Sequence, residues 1–164
     1  MKSNIFNNEN FDLAIETIDS AARQYRAHVL ESPAGQVDSQ FELPFSDLEL
    51  DNLILRVGRL RRTTRRANSP ELAAAKAFGT ALFNSIFQND MLSCFRRSLD
   101  IVKSQNKRLS IRLRLSKSVG LINLPWEYLY DTGQKRFVSL SLDTSIIRYL
   151  DRASAIQPLT VDGP

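Results

Sequence analysis

The sequence is poor in the residues that build disulfide-linked, metal-bound or phosphate-binding sites. Its 164 residues include one cysteine, Cys94, and one histidine, His28. A single thiol forms no internal disulfide, and one cysteine with one histidine does not make a zinc site. The six glycines are scattered singly, so no glycine-rich loop that could cradle a phosphate is present. We therefore predict that the protein uses no metal and no other cofactor.

Long hydrophobic runs are also missing. The longest uncharged, apolar-rich stretch, from Ala77 to Asn89, has 13 residues, whereas a helix that crosses a bilayer needs about 20. Residues 1–10 are polar and rich in asparagine, with no apolar core of the length found in signal peptides. We expect a flexible N-terminus over 1–10, no membrane contact and a cytoplasmic location.

The composition that remains is that of an ordinary globular protein. Hydrophobic residues make up 43% and charged residues 24% of the chain, which argues against wholesale disorder. A chain of this length buries about 70% of its unfolded surface, so it can fold around a core without a metal or disulfide.

Positive charge is concentrated in one segment rather than spread over the sequence. Six arginines fall within eleven residues, and without them the net charge of +4 would become negative. They are Arg56, Arg59, Arg61, Arg62, Arg65 and Arg66. No aromatic residue interleaves them, and the segment has no nucleic-acid-binding motif. We predict a solvated loop over 59–68 that offers a docking surface to a protein; a nucleic-acid-binding module is the alternative, and it would require binding that weakens steeply with salt.

The N-terminal third shows the alternation of apolar and polar residues that is typical of strands. Residues 11–17 and 25–30 alternate and predict a hairpin. A turn with proline and glycine at 32–35 leads to a third strand over 37–43. These three strands could form a small β subdomain over 11–45.

Three helices are predicted next. Ser46 and Glu49 form a capping box, and an apolar stripe follows that could end at Gly58. Ser69, followed by proline, starts a second helix, and Asp90 caps a third.

From Arg108 to Leu115 the period changes to two, which gives the clearest strand pattern in the chain. The segment LPWEYLY suits a short helix entered through Pro125, and the runs at 136–142 and 145–150 predict two more strands. Strands, then helices, then strands indicate an α+β or mixed α/β fold.

Two sets of residues could carry chemistry. Cys94 and His28 could form a nucleophile and base of a small hydrolase, but no orienting acid or glycine-rich elbow accompanies them, so we predict no catalytic residue. Trp126 is the only tryptophan and should anchor the core, with its N–H requiring a partner. Glu127 follows it, and Arg148 is the predicted partner of its carboxylate. A structural corner formed by Leu124, Pro125, Trp126 and Glu127, held by Arg148, is the favoured interpretation.

The order of seven segments carries a resemblance to a known family. They are FDLAIE, YRAHVLESPAGQ, FELPFSDLEL, ALFNSIF, LSIRLRLS, LPWEYLYD and RFVSLSLDTSIIRYL. Together they resemble the N-terminal part of bacterial CHAT-domain proteins, which are caspase-like proteins often found with TPR repeats.

That resemblance implies a pseudo-caspase-like accessory lobe over 11–150, with 11–45 as a β subdomain and 46–150 as an α/β part. Residues 151–164 would be a linker to a caspase-like cysteine protease domain that this sequence does not contain. The family's catalytic histidine and cysteine lie in that domain, so the resemblance implies a non-catalytic scaffold that packs on the protease half, in cis or in trans, and could receive a regulatory protein. The three apolar-faced strands predicted between Arg108 and Leu150 independently lead us to expect an open sheet edge, or an unusually large exposed apolar patch, near 109–115 or 145–150.

Overall fold

The computed structural model describes residues 8–60 and 69–149. Among them, the main elements are seven strands and three α-helices, joined in part by short 3-10 turns. In chain order they are β1 (Asn8–Asp19), β2 (Gln24–Glu31), β3 (Val37–Glu42), α1 (Asp47–Leu60), α2 (Pro70–Ile86), α3 (Asn89–Ser104), β4 (Arg108–Arg114), β5 (Tyr130–Asp131), β6 (Arg136–Phe137) and β7 (Thr144–Tyr149). The predicted mixed α/β class is confirmed.

Five of the strands form one sheet in the order β3-β2-β1-β4-β7. β1, β2 and β3 pair antiparallel as a meander, while β1, β4 and β7 run parallel. The parallel strands follow chain order outward from β1, so β4 lies inside the sheet and β7 lies at its edge. β5 and β6 pair separately as a two-stranded ribbon.

One face of the large sheet carries the core. On β1, Phe11, Leu13 and Ile15 are fully or almost fully buried. The alternating positions of β4 share this face because the two strands are in register, and they are equally buried. Helices α2 and α3 cover it, and the ring of Phe95 meets that of Phe11 edge-on at 5.6 Å between centroids.

The opposite face is polar, and a network of charges spans its centre. Asp12 on β1 is buried between two arginines of β4, with 2.8 Å from Arg112 Nε and 3.0 Å from Arg114 Nη2 to its carboxylate oxygens. The ring of Tyr149 on β7 lies 4.2 Å from the guanidinium carbon of Arg114. Each of these contacts joins side chains of two neighbouring strands, so the network links β1 to β4 and β4 to β7.

The helix starts follow the predicted capping chemistry in two cases. The Ser46 N–H donates to the Glu49 carboxylate at 2.7 Å, and the Glu49 N–H donates back to Ser46 Oγ at 3.2 Å. The bonds that the carboxylate accepts from the Ser46 N–H and hydroxyl hold the pKa of Glu49 below its ordinary value. The Leu72 N–H donates to Ser69 Oγ at 3.1 Å.

Several predicted boundaries are wrong in detail. The first helix does not end at Gly58 but continues to Leu60, since an interior glycine costs a helix only about 1 kcal/mol. The third helix begins at Asn89 after Gln88, not after a cap at Asp90. β1 begins at Asn8, so 8–10 belong to the sheet rather than to a flexible N-terminus.

Three further features also differ from expectation. The three strands of the predicted 11–45 subdomain belong to the same sheet as β4 and β7, because β1 pairs with β4. The predicted strand at 136–142 is only the two-residue β6 followed by a 3-10 turn, Val138–Leu140. The predicted short helix at LPWEYLY is likewise a single 3-10 turn, Trp126–Tyr128.

Candidate functional site

The segment Leu124–Glu127 forms a rigid corner beneath the edge of the sheet. Trp126 is completely buried. Its Nε1–H donates to the carbonyl oxygen of Leu121 at 2.9 Å, so the indole N–H has the hydrogen-bond partner that the sequence analysis required. Leu124 is also buried, and Pro125 precedes the 3-10 turn that begins at Trp126.

Arg148 of β7 holds this corner against the sheet. Its Nη1 donates to the Ile122 carbonyl at 3.0 Å, and its Nη2 donates to the Leu124 carbonyl at 3.1 Å and to Glu127 Oε1 at 2.6 Å. The predicted pairing of Arg148 with Glu127 is therefore present. The side chains of Glu127 and Arg148 are 59% and 38% exposed, so the ion pair alone contributes little stability. Its importance is positional, because one planar guanidinium fixes two carbonyls and a carboxylate.

Helix α2 approaches the same corner unusually closely. A Cβ added to Gly79 would lie 1.6 Å from the carbonyl oxygen of Tyr128. From the other side, Ser139 Oγ donates to the Glu127 carbonyl at 2.6 Å. The corner is thus clamped between α2, the 3-10 turn at 138–140 and β7.

These elements enclose an open cleft of about 600 Å³. The corner supplies its floor, and apolar side chains from α1, α2, β6 and the turn at 138–140 supply its walls. The lining residues are Ile54, Leu72, Asn123, Pro125, Glu127, Tyr128, Phe137, Ser139, Leu140 and Arg148. Leu140 is 78% exposed at its rim.

β7 lies at one edge of the large sheet. Within 8–60 and 69–149, no strand pairs with β7 on the side away from β4. Ile147 is 45% exposed there, and Tyr149 is exposed as well. Of the two places where an open edge was expected, the one near 145–150 has it, whereas β4 at 109–114 lies between two strands and is closed.

Cys94 and His28 lie on opposite sides of the sheet. Cys94 is on α3, which covers the core face, and its Sγ is 3.4 Å from Ser32 Oγ. His28 lies between Ala27 and Val29, which are fully buried on the core face, so its side chain points to the other face, where it contacts the Asp38 carboxylate. The two residues share no site.

The arginine cluster falls largely outside the described residues. Arg56 is an exposed residue of α1, and Arg59 belongs to the last turn of that helix. The positions of Arg61, Arg62, Arg65 and Arg66 are not described, and neither is the predicted linker at 151–164.

Several residues of the cleft escaped the sequence interpretation. Leu140 falls in the run that predicts a regular strand, and Ile54 and Leu72 are apolar residues of predicted helices that carry no other signal. Gly79 lies among apolar residues of the second helix, and a glycine in such a place is a sign of close backbone approach.

Within the part of the chain that the structure describes, no cluster of three or more histidine, cysteine or acidic side chains could hold a metal ion. In the same part, no helix has the length and apolar character needed to cross a membrane. Comparison of the chain with protein-family models, with curated proteins and with solved structures found no match in any of the three.

Proposed function

We propose that this chain is a non-catalytic docking lobe that binds a folded protein domain along β7. The domain we propose is a caspase-like cysteine protease domain, in cis or in trans, in the cytoplasm; its class comes from the resemblance of the sequence to CHAT-domain proteins. The observation that carries the docking role is that no strand among the described residues pairs with the outer side of β7, which exposes apolar side chains.

The two edges of the sheet differ in a way that supports this role. β3, at the far edge, exposes Asp38, Gln40 and Glu42, which is the polar surface of a strand that faces water. β7 exposes Ile147 and Tyr149 and has no proline to block pairing. An edge strand without such protection accepts another strand readily, so β7 has the properties of an interface.

Parallel strands add to this argument. They are normally buried on both faces and flanked by further strands or helices. β1 and β4 have a strand on each side, whereas β7 is the last parallel strand and, among the described residues, has a neighbouring strand on one side only, with a cleft opening beside its Arg148. A partner domain that continues the sheet would complete the burial of β7.

The residues considered for catalysis lie apart or already have partners. The candidate nucleophile Cys94 and the candidate base His28 are separated by the sheet. Glu127, the carboxylate of the cleft, is engaged by Arg148.

Photo-cross-linking in the cells that make the protein tests the proposal. p-Benzoylphenylalanine replaces Ile147, and the control replaces Ile18, which is 46% exposed at the end of β1, against 45% for Ile147. We expect position 147 to cross-link about tenfold more strongly than position 18, to a polypeptide that contains a caspase-like cysteine protease domain. Equal cross-linking at both positions would contradict the proposal. So would products that join 147 only to residues 1–164, or to proteins that lack such a domain.

A further inference from the structure

The cleft and the β7 edge adjoin at Arg148, which belongs to both. Arg148 is a residue of β7 and also lines the cleft with Leu140 and Phe137. Any segment that lies along the outer side of β7 therefore passes the mouth of the cleft.

The ladder between β4 and β7 fixes which backbone groups of β7 face outward. The Leu109 N–H donates to the Asp143 carbonyl at 2.8 Å, and Leu109 is aligned with Thr144. In a parallel ladder the bonding residues alternate, so Ser145 and Ile147 direct their N–H and C=O groups toward β4. Ile146 and Arg148 direct theirs away from it, toward the position of a sixth strand.

The same register fixes the faces. Ile146 and Arg148 are aligned with Ile111 and Leu113 of β4, which point to the core side. Side chains of an added strand that lie beside Ile146 and Arg148 would point to the core side as well, where the cleft opens. The residues between them would lie beside Ile147 on the other face.

We propose that β7 and the cleft together form a receptor for one extended strand. The strand pairs with the outward N–H and C=O groups of Ile146 and Arg148, and it inserts one large apolar side chain between Leu72, Phe137 and Leu140. This inference deepens the proposed function and rests on it, because it specifies how the partner engages the edge: by a strand whose apolar residues alternate.

The lining of the cleft favours an apolar side chain. Six of its described lining residues are apolar or aromatic: Ile54, Leu72, Pro125, Tyr128, Phe137 and Leu140. Of the polar lining residues, Glu127, Ser139 and Arg148 are engaged with one another or with backbone carbonyls of the corner, and Asn123 is the fourth. A charged or strongly polar side chain would lose hydration on entering this mainly apolar cleft, and that loss would weaken its binding.

A second copy of the chain fits this receptor poorly. Two antiparallel β7 strands related by a twofold axis must pair residues that point to the same face. Centring the pair on Arg148 places two arginines opposite each other, which is repulsive. Centring it on Ile146 places Arg148 opposite Thr144, which is too small to fill the cleft. Centring it on Ile147 places Ile146 opposite Arg148, but Ile146 already packs against the core of its own copy and is not free to enter the cleft of the other. A strand from a different domain meets none of these difficulties.

Selection from a phage-displayed library of random peptides of about twelve residues tests the inference on the protein itself. We expect the selected peptides to share large apolar residues at alternating positions. Leu140→Asp should weaken the binding of the selected peptide about tenfold, because it places a charge on the wall of the cleft. The control is Leu48→Asp, at the start of α1, where the leucine is 71% exposed and does not line the cleft; there we expect less than a twofold change.

Enrichment of no peptide, or selected peptides whose binding is unaffected by Leu140→Asp, would overturn the inference. If cross-linking from position 147 finds the expected partner while the peptide result fails, docking at the edge stands and the role of the cleft falls. If peptides bind as expected while the cross-linking fails, the strand receptor stands and the identity of the partner domain falls.

Discussion

Replacing Gly79 with alanine should lower the free energy of unfolding by about 3 kcal/mol. The added methyl carbon would lie 1.6 Å from the Tyr128 carbonyl oxygen and 2.7 Å from its carbon, far inside van der Waals contact. Both atoms are backbone and cannot rotate away, so α2 and the corner must separate. Alanine favours a helix over glycine by about 1 kcal/mol, and we expect the clash to outweigh that gain.

Gly120→Ala is the matched control, because a Cβ at Gly120 meets no atom within 4 Å. Its effect should stay within about 0.5 kcal/mol. Urea unfolding followed by the fluorescence of Trp126, the only tryptophan, measures both variants. Equal stabilities for the two variants would show that α2 does not contact the corner as described.

Asp131→Asn should lower stability at neutral pH by about 2 kcal/mol. The Asp131 carboxylate is buried and receives both Nη groups of Arg96 from α3, and it also accepts the N–H groups of Gly133 and Gln134, at 2.9 and 3.1 Å. The substitution removes the negative charge that offsets Arg96 and replaces one acceptor oxygen with a donor.

The effect should depend on pH in a defined direction. Burial by itself would raise the pKa of Asp131, but the hydrogen bonds from Arg96 and from the Gln134 and Gly133 amides outweigh it and hold the pKa below its ordinary value of 3.8. A carboxylate with a lowered pKa in the folded state contributes stability above its ordinary pKa, and that stability is lost as the pH falls through the folded value.

The stability difference between wild type and Asp131→Asn should therefore be constant near neutral pH and shrink below about pH 4. Asp100→Asn, at an exposed position of α3, serves as control and should change stability by less than about 0.5 kcal/mol. Urea unfolding between pH 3 and pH 7 tests both variants. A difference that does not change with pH would mean that the Asp131 charge is not what stabilises the turn.

The elements predicted best were those with a strong local pattern. β4 alternates without interruption from Arg108 to Arg114, and α2 begins at a serine followed by proline, so both could be located from sequence. The run at 136–142 alternates only from Val138 onward, and the chain bends at Val138, whose carbonyl accepts a hydrogen bond from the Thr144 hydroxyl. That contact depends on how the chain returns to β7, which local alternation does not encode.

Sheet order was the part that the sequence could not supply. β1 pairs with β4 across about a hundred residues of chain. The alternation of apolar and polar residues in each strand does not indicate which other strand it pairs with. The three N-terminal strands therefore resembled a separate unit, although their sheet continues into β4 and β7. Long-range pairing of this kind depends on tertiary packing of the whole chain.

The candidate site was predictable in its polar part and not in its apolar part. Trp126, Glu127 and Arg148 stood out because an indole N–H needs an acceptor and a carboxylate needs a cation, and the structure brings them together. Ile54 and Leu140 are ordinary apolar residues in sequence. Only the packing of α1 and the turn at 138–140 around the corner brings them together in the lining of one cleft.

Amide hydrogen exchange of β7, measured by NMR on the isolated chain, tests the central claim that this edge is open to a partner. The N–H groups of Ser145 and Ile147 face β4 and should exchange slowly, whereas those of Ile146 and Arg148 face outward and should exchange about a hundredfold faster. Protection of Ile146 and Arg148 equal to that of Ile147 would mean that the edge is already covered, and it would contradict both the docking role and the strand receptor.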